Sequence, residues 1–448
     1  MELLIRCGYL ITMKDRRYFK DYAVIVEGDE IADILPYEEA RSKYARYEVL
    51  DASDCIVMPG LINLHTHAAM SLLRGYADDL PLHEWLTKWI WPLEAKMRAE
   101  DIYYGALLAA VESVLGGTTV LNTMYHYTDP DYNEASAISK VGIRCVIGHV
   151  CFSWRKDEDL KALDDLVKRW HGAVNGLVRI SIDPHAPYTV DPEYLKTLRQ
   201  LTDEYNSKYG DKGKITMHIH LAETRDEAER VEREFKVNVE KGLAVYLDQI
   251  GVLRDDVVAA HCVWMTDEDI EVMARRRASV AHNPVSNLKL ASGIAPVSKM
   301  LMKGVNVGLG TDSACSNNTL DMFETMKLAS LLQKGMNLEP TLVPAFKAIE
   351  MATINGAKAL KWEDEIGTIE IGKKADLIAV TFRRPHMTPI YDPFSHIVYA
   401  ARSLDVKHVV VNGRIVVRDH ELLTVDVDEV IRKASKVRDE LLSRLKEA

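Results

Sequence analysis

The sequence predicts an α/β chain: a (β/α)8 TIM barrel carrying a small β-sandwich domain built from both chain ends. Three observations predict it. Between Ile56 and Asp312, eight short apolar runs alternate with amphipathic stretches long enough for helical crossovers. Both flanks instead carry short β-branched runs punctuated by turn residues. At 448 residues and 47% hydrophobic content, the chain exceeds the roughly 250 residues of a typical barrel, so a second unit is expected. The small β domain is expected over 1–55 and 365–425, the barrel over 56–364 and a C-terminal helix over 426–448.

Taken in order, Leu3-Leu4-Ile5-Arg6, Ala23-Val24-Ile25-Val26 and Ile31-Ala32-Asp33-Ile34-Leu35 are the opening strands. The barrel runs follow: Ile56 to His67, Thr118 to Met124, Arg144 to Val150, Val178 to His185, Ile215 to Leu221, Val257 to His261, Ser279 to Asn283 and Val305 to Asp312. A doubly wound open sheet is the alternative, but no Gly-rich phosphate loop follows the first run. Strands return with Gly367-Thr368-Ile369, Ala375 to Val380, and His408 to Val411 before Asn412-Gly413, a hairpin signal, and Arg414 to Val417. The charged amphipathic stretch Asp426 to Ala448 is expected to pack on the surface rather than carry chemistry.

Composition excludes several function classes. Against 56 Lys+Arg stand 67 Asp+Glu, interspersed along the chain, and the net charge of -11 argues against a nucleic-acid partner. The six cysteines (Cys7, Cys55, Cys145, Cys151, Cys262, Cys315) form no Cys-x-x-Cys pair and read as reduced, buried thiols of a cytoplasmic protein. No secretory leader and no uncharged apolar run of membrane-spanning length is found. A symmetric homo-oligomer is the expected assembly.

The stretch Ile62-Asn63-Leu64-His65-Thr66-His67 ends an apolar strand on two histidines that period-two alternation aims to one side. Alone, such a pair fits two hydrogen-bonded polar residues as well as a metal site. In a barrel, however, strand C-terminal ends converge on one mouth. There His65 and His67 would meet His185 after the fourth strand, His220 and Glu223 at the fifth, His261 at the sixth and Asp312 at the eighth. Three imidazoles and a carboxylate suit Zn²⁺ and would also accommodate Fe²⁺, Mn²⁺ or Ni²⁺. His218 also points inward, so the residues alone leave His218 and His220 both open as the fifth-strand ligand. His126, His149, His171 and His282 are expected to be structural or supporting, and Met70, Trp85, Trp89 and Trp91 form an apolar stripe that is core by default and a pocket wall otherwise.

Pro59-Gly60-Leu61-Ile62-Asn63-Leu64-His65-Thr66-His67, Glu84-Trp85-Leu86, Pro92-Leu93-Glu94, Pro184-His185-Ala186-Pro187-Tyr188-Thr189 and His218-Ile219-His220-Leu221-Ala222-Glu223-Thr224 carry a resemblance. So do His261-Cys262, His282 to Gly293, Gly310-Thr311-Asp312-Ser313 and Gly367 to Leu377. Together they resemble the amidohydrolase superfamily, in the branch of 5'-methylthioadenosine/S-adenosylhomocysteine deaminases and 5'-deoxyadenosine deaminases, nearly end to end. The resemblance implies one divalent metal per subunit, with His65, His67, His220 and Asp312 as ligands. A second metal would need a bridging lysine carbamate where this chain has Asp183-Pro184-His185.

The expected reaction is hydrolytic deamination of an adenine nucleoside by hydroxide attack on carbon 6. Asp312 would accept the proton of the water, Glu223 would protonate ring nitrogen 1, and His261 would orient the hydroxide. By resemblance, Glu94 would accept hydrogen bonds from the ribose hydroxyls and His185 would contact the nucleoside; the plainer reading of Glu94 is a helix-solvating residue and of His185 a satisfied loop histidine. Where relatives that handle S-adenosylhomocysteine carry arginines, this chain has His149 and Asp159, with Arg155 nearby. A smaller, uncharged 5'-group is therefore expected, as in 5'-deoxyadenosine, 5'-methylthioadenosine or adenosine. The rivals are a guanine or triazine-like ring as substrate, and a non-catalytic scaffold that would have lost one of His65, His67, His220, Glu223 or Asp312; all five are present.

Overall fold

The computed structural model describes residues 2–447 and is organised around two eight-stranded sheets. One contains β1 (Glu2–Ile11), β2 (Tyr18–Glu27), β3 (Glu30–Pro36) and β4 (Glu48–Pro59) from the N-terminal side. The other is built of β5 (Leu61–Thr66), β6 (Thr118–Tyr125), β7 (Arg144–Cys151), β8 (Val178–Pro184), β9 (Thr216–Leu221), β10 (Val257–His261), β11 (Ser279–His282) and β12 (Asn306–Leu309). The chain then returns to the first sheet with β13 (Leu377–Thr381), β14 (Val406–Val411), β15 (Arg414–Arg418) and β16 (Glu421–Leu422).

Strands β5 to β12 run parallel in sequence order, and nearly every residue on them is buried because helices cover one side and the barrel interior the other. The ends of the order meet through Asn63 and Thr311: Asn63 Nδ2 donates to Thr311 Oγ1 at 2.7 Å and Thr311 N donates to Asn63 Oδ1 at 3.0 Å. Asp312 N donates to His65 O at 2.9 Å, so closure of the barrel itself brings the eighth-strand acid to the first-strand histidines.

The expected first run, Ile56 to His67, is two strands. Its opening residues belong to β4, so pairing in the small sheet continues to Pro59, past the expected boundary at residue 55. The break falls at Gly60, where an added Cβ would lie 2.1 Å from Thr119 Oγ1. Only glycine lets the chain step from one sheet to the other there. Gly367 to Ile369 is likewise not a strand; Ile369 is buried in the small-domain core and its N–H donates to Thr12 O at 2.9 Å.

The small sheet is a sandwich made by folding one hydrogen-bonded sheet on itself, in the order β16-β15-β14-β13-β4-β1-β2-β3. Leu3, Ile5 and Val24 from one arm share a core with Leu377, Val410 and Ile415 from the other. The expected Asn412-Gly413 hairpin joins β14 to β15 with φ of 51° and 73°, both in the left-handed region that two-residue hairpin turns demand. The C-terminal helix spans Val427–Lys446, capped by Asp426, and buries Ala434, Val437 and Leu441 against Met70, Leu73, Trp85 and Leu93 behind the barrel mouth.

Candidate metal centre and active site

His65 reaches the barrel interior through a β-bulge. Asn63 pairs with Leu121 and Thr66 with Thr123, so β5 fits one more residue than β6 over this span and turns His65 inward. His67 lies just beyond the strand, its ring centroid 4.9 Å from that of His65. At the other strand ends the backbone turns sharply: Ala222, His261 and Asp312 have φ of 51°, 73° and 62°. Left-handed conformations are costly for non-glycine residues, and their clustering around one point marks a site held in place by its surroundings.

Each histidine is fixed by its other ring nitrogen. His67 Nδ1 lies 2.6 Å from Met124 O and His220 Nδ1 lies 2.8 Å from His185 O, so both Nδ1 atoms carry the proton. Their Nε2 atoms are then lone-pair acceptors, yet they face one another at 3.3 Å. Asp312 Oδ1 stands 3.3 Å from His67 Nε2 and 3.4 Å from His65 Nε2, which has no hydrogen-bond partner among the described residues. His261 joins the same group, its Nδ1 held 2.8 Å from Asn287 Oδ1. Several acceptors converging in a buried space, with no donor between them, form a cage that fits a cation. The donor set of nitrogens and one carboxylate suits a divalent metal.

Asp312 is oriented by three donors: Ser286 Oγ at 2.6 Å and Ser316 Oγ at 2.9 Å to Oδ2, and Ser313 N at 2.7 Å to Oδ1. Glu223 is buried and its carboxyl is raised by desolvation, against the opposing influence of His261. Its backbone N–H and that of Ala222 both donate to the Glu227 carboxylate, at 2.8 and 3.1 Å, which fastens the turn presenting Glu223.

These side chains floor a cavity of about 430 Å³ at the barrel mouth. The structure brings together His67, His220, His261, Glu223 and Asp312 with Glu94 and His185 around it. Glu94 Oε1 accepts from Tyr125 Oη at 2.8 Å, and burial raises its carboxyl to about 7. His185 stacks on Phe152 with centroids 4.8 Å apart; burial, then the neighbouring His67 and His261, lower it to about 3, so the ring is neutral.

Met70 and Trp85 are buried core residues that also line the cavity together with Trp91, whereas Trp89 is 43% exposed against Tyr76. His126 also lines it, whereas His149 turns away to Asp159 and to Tyr127 N. Arg155 stands at the cavity with Nη1 3.3 Å from His126 Nδ1, and its charge is shared with Glu158 and Asp159. Unforeseen were Ser286, Ser316 and Asn287, which orient Asp312 and His261; nothing in the local pattern distinguishes them. His218 lies beneath the cage, bonded to His65 Nδ1 at 2.9 Å, rather than in it.

The family described as Amidohydrolase family matches residues 56–416. A 5-methylthioadenosine/S-adenosylhomocysteine deaminase of Caldanaerobacter subterraneus subsp. tengcongensis is 42% identical, covering 97% of this chain and 98% of its own. A 5'-deoxyadenosine deaminase of Methanosarcina acetivorans is 43% identical over 99% of both chains. A crystal structure of an adenosine deaminase from Xanthomonas campestris with bound zinc superposes with a TM-score of 0.91 at 34% identity, covering 99% of each chain.

Proposed function

The chain belongs to the amidohydrolase family, and from that premise we propose that it hydrolytically deaminates adenine nucleosides, releasing ammonia and the inosine analogue. The observation that carries this is the cage of His65, His67, His220 and Asp312 facing the buried acid Glu223 across one cavity. The substrates we assign are 5'-deoxyadenosine, 5'-methylthioadenosine and adenosine, with S-adenosylhomocysteine as a further candidate. A small, uncharged 5'-group is supported by Phe152 and Trp154 at the cavity and by an Arg155 charge already balanced by Glu158 and Asp159.

Zinc is the metal we assign to His65, His67, His220 and Asp312, supported by the donor set and by the zinc in the Xanthomonas enzyme. Bound there, it would lower the pKa of water to about 7 and make hydroxide available at neutral pH. Asp312 Oδ1 would take the proton of the attacking water, while Ser286 and Ser316 keep the carboxylate from rotating. His261, with Nδ1–H committed to Asn287, would offer Nε2 as acceptor to the water and fix its approach to carbon 6. Glu223, whose carboxyl burial shifts toward the protonated form, would protonate ring nitrogen 1 as charge builds on the purine. The proton held by Asp312 would then pass to the departing amino group, and the adduct hydroxyl would give up its proton as the carbonyl forms, balancing the one Glu223 donated to nitrogen 1. Glu94, with Oε1 on Tyr125, would accept from the ribose hydroxyls through Oε2. Thr189 Oγ1 donates to Ala186 O and so takes the His185 Nδ1–H, leaving Nε2 of His185 as an acceptor toward the nucleoside.

The test incubates metal-loaded protein with 5'-deoxyadenosine, 5'-methylthioadenosine, S-adenosylhomocysteine, adenosine and guanine, and follows the adenine-to-hypoxanthine ultraviolet change. Turnover of at least one adenine nucleoside is expected; turnover of none overturns the proposal. We also propose a homo-oligomer and a cytoplasmic setting, the latter supported by six buried, unpaired thiols among the described residues.

A further inference from the structure

Below the cage lies a polar column with no part in the proton transfers above. Asp183 on β8 is fully buried, and neither carboxylate oxygen has a hydrogen-bond partner among the described residues. Leaving such a group unmatched is costly unless a charge or dipole faces it. The fold makes room for it deliberately: Gly148 on β7 pairs beside Ser181, and a Cβ there would lie 1.7 Å from Asp183 Oδ2. What faces Asp183 is the ring of His218, with Nδ1 3.7 Å from Oδ2. His218 Nε2 in turn lies 2.9 Å from His65 Nδ1.

One proton sits between His218 Nε2 and His65 Nδ1, and it has two arrangements. If His218 Nε2 carries it, then His65 Nδ1 is the acceptor, His65 Nε2 bears the other hydrogen toward Asp312, and no lone pair faces the cage. In that arrangement His218 Nδ1 is a lone pair, which Asn122 Nδ2 approaches at 3.4 Å. If His65 Nδ1 carries it, His65 Nε2 presents a lone pair to the cage, and His218 must hold its own hydrogen on Nδ1. That hydrogen then points at Asp183. A buried carboxylate favours the second arrangement, and Asn122 Nδ2, a neutral donor at the long distance of 3.4 Å, is the weaker competitor.

We infer that Asp183 and His218 are positioning residues that select the metal-binding tautomer of His65: a three-residue column running from β8 through β9 to β5. Neither Asp183 nor His218 lines the cavity, so both act only through His65. The inference rests on the metal-centre reading above.

The test measures zinc affinity by chelator competition in full-length parent, Asp183→Asn, His218→Gln and the double variant, with thermal melting of each metal-free protein alongside. Asn fills the same volume but carries no charge, and Gln removes the imidazole ring through which Asp183 acts on His65. We expect Asp183→Asn to weaken zinc binding about 10- to 100-fold in the parent, and by less than about 3-fold in the His218→Gln background. Metal-free melting of Asp183→Asn should stay at or above that of the parent, because the substitution removes a buried charge. Equal zinc affinity in parent and Asp183→Asn, or an equal loss in both backgrounds, overturns the column. A lowered metal-free melting temperature with unchanged zinc affinity assigns Asp183 a merely structural role and also overturns it. A parent that binds no divalent cation overturns the metal-centre reading itself, which separates the two failures.

Discussion

The two ends of the barrel bury charge in opposite ways. At the N-terminal end, Arg144 grips Asp376 through two hydrogen bonds, at 2.7 and 3.0 Å, and Asn412 through a third at 2.8 Å. Arg199 does the same to Asp256, and Arg179 packs 4.0 Å over the Trp362 ring while bonding Glu365. Every one of these cations meets an anion. At the C-terminal mouth, by contrast, acceptors meet acceptors: His67 and His220 turn lone pairs on each other beside the Asp312 carboxylate. The paired end ties the barrel to the small domain, and the unpaired end is complete only with a cation. Buried polar groups that the chain itself leaves unmatched are where this protein keeps its chemistry.

Four substitutions bear on that contrast. The largest effect is expected at the mouth: His220→Ala should abolish both metal retention and activity, measured by metal content after gel filtration and by the ultraviolet assay. Retained metal would break the comparison. Glu223→Gln should keep the metal but lose about 10²- to 10⁴-fold in kcat, the range for a general acid. Equal metal loss in both variants would show Glu223 to be a ligand.

At the paired end, Asp376→Ala should leave Arg144 buried and uncompensated and cost about 3–5 kcal/mol in denaturant unfolding, with activity per folded molecule unchanged. The last test concerns Glu227, at the mouth, whose carboxylate accepts from the backbone N–H groups of Ala222 and Glu223. Burial raises its carboxyl from 4.5 to about 8. Between these values the folded protein binds the proton that the unfolded chain has released, so stability falls as pH rises, by up to about 1.4 kcal/mol per unit. Glu227→Gln should flatten this slope in urea unfolding at pH 5 and pH 8. An unchanged slope would mean that Glu227 is ionised throughout.

Much of the site was readable from periodicity. His220 at the tip of a β-branched strand and His261 at the next announced themselves because strand side chains alternate and barrel strands end at one mouth. The bulge that carries His65 did not, because a bulge depends on how β5 meets β6 rather than on either sequence. Met70, Trp85 and Trp91 read as core because apolar character is the same whether a side chain faces a helix or a cavity. Gly60 was seen within a strand, although its missing Cβ is what lets two sheets exchange the chain.

The sequence by itself determined which residue types stand at the strand tips, and with them the barrel and a donor set suited to a divalent metal, since local pattern dictates each, while the reaction class came from the resemblance of its motifs to a family. Tertiary structure alone decided which nitrogen of each histidine is free. That choice is made by a distant partner, Met124 O for His67, His185 O for His220, Asn287 for His261 and His218 for His65, and a hydrogen bond across the barrel has no signature along the chain.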